Sequence, residues 1–141
     1  MVEVNNLTSV EVDQSLLKKI AKIVLEKEGK KSNSLSIALV KSKEIKRLNK
    51  KYRKKNSVTD VLSFSRKNDI IKNDREKLKG EIVLCLEQIK KNAQNFNKKF
   101  KNELAWALIH GILHLFGYNH KKEKEAHKMR KKEEYYLSFL N

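Results

Sequence analysis

The chain has no proline, one cysteine and only four glycines in 141 residues. A single thiol, Cys85, allows neither an internal disulfide nor a cysteine-based zinc site. It falls in the apolar run EIVLCL, where a small buried side chain is expected. There is no Pro-rich or Gly-rich linker and no internal repeat, so residues 1–141 are expected to form one domain with one core. No stretch approaches the ~18 apolar residues that span a bilayer. The start, MVEVNN, lacks the basic and apolar segments of a secretory signal. A cytoplasmic protein with no membrane partner is the expectation.

Acidic charge is scarce as well. Against 33 basic residues stand 17 acidic ones, a formal net charge of +16. Such a field attracts polyanions and disfavours acidic partners. The excess is concentrated between Lys41 and Lys55, where nine residues are basic and only Glu44 is acidic. A local cluster of that size is the footprint expected of phosphate contacts, and it lacks the broad apolar face of a membrane-lying helix.

The pattern along the chain reads β-α-β-α-β-β-α-α-α. Val2 and Val4 alternate with polar residues as a short strand would. Thr8 or Ser9 is expected to cap a helix carrying Leu16, Leu17, Ile20, Ile23 and Val24, with Gly29 as its stop. Leu35 to Val40 reads as a strand. Ser42 is expected to cap a second helix with Ile45, Leu48 and Tyr52 on its apolar face. Val58 to Phe64 is β-branched and aromatic enough for a strand. The charged stretch from Arg66 to Lys79 reads as a mobile loop, and Glu81 to Leu86 as another strand. Helices are expected over about 87–96, 100–116 and 122–140. The sum is an α+β domain: a small mixed four-stranded sheet covered by about five helices.

Three of the four histidines fall within HGILHLFGYNH, residues 110–120. His110 and His114 are four apart in an apolar helix, so their rings leave one face and can chelate a single ion. Gly117 breaks the helix, and the following turn can return the chain so that His120 supplies a third ligand. Four histidines scattered at random over this length would almost never take these offsets, which match the extended zinc signature H-E-x-x-H-x-x-G-x-x-H. Three imidazoles with an open fourth position suit a catalytic zinc. The position after His110 is Gly111, where zinc proteases carry the glutamate that acts as general base. Peptidase chemistry by that route is disfavoured. A glycine inside a helix costs ~1 kcal/mol relative to alanine, so Gly111 suggests that substrate or another backbone segment passes close over this turn.

These residues resemble the YbeY family of bacterial metal-dependent endoribonucleases and ribosomal RNA maturation factors. His110, Gly111, Leu113, His114, Leu115, Gly117, Tyr118 and His120 stand in register with its motif H-G-x-L-H-L-x-G-Y-D-H. LNKKYRKKNSVTDVLSF, residues 48–64, and GEIVLC, residues 80–85, match two further segments. The resemblance implies an α+β fold with the metal site at the end of a long helix. It implies zinc, or another divalent transition metal such as nickel, on His110, His114 and His120. Cleavage of single-stranded RNA is the implied activity, with Arg53 and His110 catalytic and Lys50, Arg53, Lys54 and Lys55 contacting RNA. The implied partners are ribosomal RNA and the small ribosomal subunit, with a ribosomal protein or an assembly GTPase beside them.

Three positions depart from the family pattern. Asn119 replaces an aspartate that could orient an imidazole. Val58 and Ser65 stand where prolines flank the T-D-V-L-S-F strand, which suggests looser loops. Asp60 reads either as a base or as a turn residue, His127 as a surface residue and Trp106 as core. Two other functions are compatible with the residues: a non-catalytic RNA-binding ribosome assembly factor with a structural metal, and a metal-dependent peptidase or hydrolase.

Overall fold

A computed structural model describes residues 1–31, 33–66 and 79–140. The expected loop from Arg66 to Lys79 lies, at 67–78, outside the described residues. Among the described residues, four strands and five helices follow in the anticipated order. They are β1 (Val2–Asn6), α1 (Gln14–Lys27), β2 (Ser34–Val40), α2 (Ser42–Arg53), β3 (Val61–Arg66), β4 (Lys79–Cys85), α3 (Leu86–Asn95), α4 (Phe100–Leu115) and α5 (Glu123–Leu137). A short 3-10 turn, Ser138–Leu140, follows α5.

The sheet order is β1-β2-β4-β3. β2 pairs in parallel with both β1 and β4, whereas β3 runs antiparallel to β4 and forms an edge. Alternation along the strands sends side chains to two faces. Leu35, Ile37, Leu39, Ile82 and Leu84 face the main core, packed with α1, α3, α4 and α5. Val40, Leu62, Val83 and Cys85 face the other side, where α2 covers them with Ile45 and Leu48. Each fully buried Leu or Ile here contributes about 1.5–3 kcal/mol. Cys85 is fully buried, as its apolar surroundings suggested.

α4 is the central element. Its sequence FKNELAWALIHGILHL is apolar almost all round, and such a helix is stable only when enclosed. It touches α1, α3, α5, β3 and β4.

Local details correct the sequence reading. The α1 cap is Asp13, whose carboxylate accepts the Leu16 amide at 3.1 Å. Thr8 instead bonds back to Asn6, which closes the turn after β1. Ser42 makes no cap hydrogen bond to α2; it is the first helical residue, and its hydroxyl lies 3.7 Å from the Cys85 sulfur. β3 begins at Val61, not Val58, because its ladder with β4 starts at the Val61–Leu84 pair. Tyr52 is mostly exposed and not part of the apolar face of α2.

Candidate metal centre and nucleic-acid interface

His110 and His114 occupy the last two turns of α4, and His120 follows in the turn before α5. The return of the chain is a hydrogen-bonded helix stop. The Tyr118 amide donates to the Leu113 carbonyl and the Gly117 amide to the His114 carbonyl, both at 3.1 Å. This is the Schellman pattern, and it needs a left-handed residue at its corner. Gly117, with φ of +90°, fills that place without a Cβ penalty. The result brings the three imidazoles together, with one ligand atom of each within 4.8 Å of the others.

The donor set fits one cation. Nε2 of His110 lies 3.0 Å from Nε2 of His114. Two nitrogens ~2.05 Å from a tetrahedral zinc ion stand about 3.3 Å apart, so the pair needs only a few tenths of an ångström of adjustment. His120 is exposed, with its ring centroid 5.3 Å from that of His114 and 5.8 Å from that of His110. The other nitrogen of His110 is engaged. Its Nδ1 lies 2.9 Å from Oε2 of Glu133, a buried carboxylate on α5. A carboxylate cannot donate, so Nδ1 carries the hydrogen and Nε2 keeps its lone pair toward the cluster.

His114 titrates below its ordinary value. Partial burial is the main cause, and the neighbouring rings of His110 and His120 add to it. A backbone hydrogen bond to Tyr118 opposes the shift, and the charge of Arg53 contributes a little to it. A neutral imidazole at neutral pH is the form that binds a metal.

Gly111 is explained by a neighbour. A Cβ there would lie 2.9 Å from Val61 Cγ2, 3.2 Å from Ser63 Oγ and 3.3 Å from Ile82 Cδ1. Of the two approaches that the sequence allowed, it is the β-sheet that comes close at this turn.

The basic residues gather at the end of α2. Lys50, Arg53, Lys54 and Lys55 are all exposed, and Lys54 turns the chain with φ of +58°. Buried Asn49 holds the next loop by donating to the Ser57 carbonyl at 3.0 Å. Tyr52 meets Phe64 of β3 edge-on, with ring centroids 5.2 Å apart. The end of α2 is thereby tied to the edge strand, and Arg53 is close enough for its charge to be felt at His114.

Other expectations sort themselves. The Asp60 side chain accepts from Asn92 at 3.5 Å and Thr59 at 3.4 Å, the contacts of a structural turn. Asn119 accepts the Lys121 amide at 3.1 Å, so its hydrogen bond serves the turn and not an imidazole. His127 is exposed, as expected. Trp106 packs against the core but also stacks on His110, with centroids 4.7 Å apart.

Two acidic residues escaped the sequence reading. Glu133 is one. The other is Glu28, just after α1, which accepts from Tyr118 at 2.7 Å, from Lys132 at 3.0 Å and from Tyr136. Burial raises the pKa of its carboxyl, but the donors Tyr136, Tyr118 and Lys132 together hold it below the ordinary value. Both glutamates tie α4 and its following turn to other helices.

An α+β domain with a histidine triad at the end of its central helix and a basic helix end nearby has the form of a small nucleic-acid-directed hydrolase. The family described as Endoribonuclease YbeY matches residues 3–141. A relative of that name from Carboxydothermus hydrogenoformans is 42% identical, over 99% of this chain and 97% of its own length. Another from Phytoplasma australiense is 36% identical, over 99% and 95%. A solution structure of a Thermotoga maritima protein is 30% identical and superposes with a TM-score of 0.67, covering 97% of this chain and 87% of that one. The chain belongs to the YbeY endoribonuclease family.

Proposed function

We propose that this endoribonuclease depends on a divalent metal, zinc or a close transition-metal relative such as nickel, held by His110, His114 and His120, and that it cuts single-stranded ribosomal RNA. The convergence of the three imidazoles is the observation that carries the reading. A bound zinc-type ion supplies Lewis acidity toward a phosphate oxygen and lowers the pKa of water.

The chain's own residues have distinct tasks. Glu133 holds His110 in one tautomer and one orientation. Trp106 supports the same ring from its flat side. Arg53 clamps a phosphate and stabilises the charge that grows on its non-bridging oxygens. Lys50, Lys54 and Lys55 draw in the RNA backbone from the same helix end. Gly111 is packed against β3, so the residue after His110 offers no base of the protease kind. One alternative route is attack by the RNA 2′-hydroxyl on the adjacent phosphorus with departure of the 5′-oxygen, which takes up a proton; its products would end in 2′,3′-cyclic phosphates.

Ribosomal RNA in the small subunit, approached alone or with a ribosomal protein or assembly GTPase, is the substrate we assign, in the cytoplasm. No described helix is long and apolar enough to cross a membrane. The test combines metal analysis with cleavage of a structured ribosomal RNA fragment by wild type and His114→Ala. About one ion per chain, with cleavage lost in the variant, is expected. Equal trace cleavage in both would point to a contaminating nuclease and favour a non-catalytic assembly factor.

A further inference from the structure

The basic character of this protein is not confined to α2. Between α1 and α5 lies a groove of about 860 Å³, lined by Lys27, Lys124, Lys128, Lys131 and Tyr135 among others. Among the described residues, no carboxylate lines it. Lys132 contributes too, but its charge is matched by Glu28 at 3.0 Å. On α5 the positions 124, 128, 131 and 135 recur at helical spacing, so they form one stripe about 16 Å long.

The aromatic end of this stripe is open. Tyr135 is 47% and Phe139 40% exposed, and their rings meet edge-on with centroids 5.3 Å apart. Lys27 Nζ lies 5.1 Å from the centre of the Phe139 ring and 6.0 Å from that of Tyr135. The cation steadies the two rings by cation–π attraction while leaving much of their surface open to a flat partner. A row of lysines that ends in an aromatic platform is the arrangement that single-stranded nucleic acid uses: phosphates along the cations, a splayed base on the ring. An acidic peptide would satisfy the lysines and leave the rings unused.

The groove adjoins the turn that carries His120. Lys128 lines both it and a neighbouring hollow formed by Phe116, Gly117, Tyr118 and Asn119, where Lys30 and the carboxylates Glu28 and Glu125 also stand; Glu28 is engaged by Tyr118, Lys132 and Tyr136. The Lys128 ammonium lies 5.6 Å from the centre of the Tyr118 ring, and Tyr118 is two residues before His120.

We propose that the α1–α5 groove is a second contact surface for single-stranded RNA, gripping the strand on the side of the triad reached through Tyr118. Lys124, Lys128 and Lys131 hold phosphates, and Tyr135 with Phe139 receives a base. The inference rests on the endoribonuclease reading above and assigns it a second binding surface beyond the end of α2.

The test measures binding of a labelled, unstructured RNA of roughly twenty nucleotides, longer than a single groove's footprint, at about 50 to about 200 mM salt. Wild type is compared with the triple variant Lys124→Gln/Lys128→Gln/Lys131→Gln and with Tyr135→Ala, all exposed positions whose folding is checked by circular dichroism. The triple variant should lose affinity about tenfold or more at low salt. Its salt slope should fall by about 2, at ~0.7 for each phosphate contact of a single strand. Tyr135→Ala should weaken binding by at least about fivefold with the slope unchanged, as loss of one stacked base would. Wild-type affinity and slope in both variants would overturn the proposal and leave the groove to another polyanion, such as an acidic protein. If wild type itself neither binds nor cuts RNA, the endoribonuclease reading falls first.

Discussion

The Ser63 hydroxyl donates a 2.7 Å hydrogen bond to the carbonyl oxygen of Gly111, the residue directly after His110 in α4. An edge strand is thus fastened to the helix backbone at the turn that carries the candidate ligands. The bond is reachable because position 111 has no side chain to hold the elements apart.

Gly111→Ala therefore sets two effects against each other. Alanine favours the helix by about 1 kcal/mol, but its Cβ meets Val61, whose branched side chain has little rotameric freedom. Overpacking of this kind costs about 1–3 kcal/mol. We expect a net loss of stability in urea unfolding, partly restored by adding Val61→Ala. A variant as stable as wild type would mean that β3 yields easily.

Removing the carboxylate behind His110 should loosen the metal site without dismantling it. Glu133→Ala is expected to lower zinc affinity about 10- to 100-fold in competition with a chelator. Glu133→Gln, which keeps a hydrogen-bonding oxygen, should fall between. Unchanged affinity in both would reduce Glu133 to a packing residue.

Arg53→Ala should reduce RNA cleavage on the order of 100-fold, the scale for losing one donor to developing charge. Metal content should stay at the wild-type level, since Arg53 is not a ligand. Arg53→Lys should rescue poorly, because an ammonium cannot reproduce the planar fork. Full activity in the lysine variant would reassign Arg53 to general attraction.

The depressed His114 pKa fixes a pH response for the metal-free chain. As pH falls below the ordinary value of 6.5, the unfolded chain takes up a proton that folded His114 still resists. Stability then declines through that window and levels off below the folded pKa. Thermal melts across pH should show a shallower decline in His114→Gln. Added zinc should bind more weakly over the same fall in pH, because protons compete for the imidazoles.

The sequence carried the histidine cluster because its members are close in the chain and helical geometry converts their spacing into a shared face. It could not carry Glu133. Nothing local separates it from exposed Glu134; only the packing of α5 on α4 turns one inward. Glu28 was hidden for the same reason, since its partners lie 90 to 108 positions further on. The α1 cap went astray because Thr8 and Asp13 both suit a helix start, and Thr8 is taken by Asn6. Strand β3 lost its first three expected residues because pairing with β4, and not β-propensity, decides where a ladder begins.

The order of the chain also gives the site a history. α4 brings two of its imidazoles, the turn after Gly117 adds the third, and the carboxylate behind His110 arrives only with α5. During synthesis these parts emerge one after another, behind the four strands and the α2 cations. His110 therefore gains its hydrogen-bond partner only once α5 has docked on α4, so the bracing of the triad is completed by the last helix of the chain.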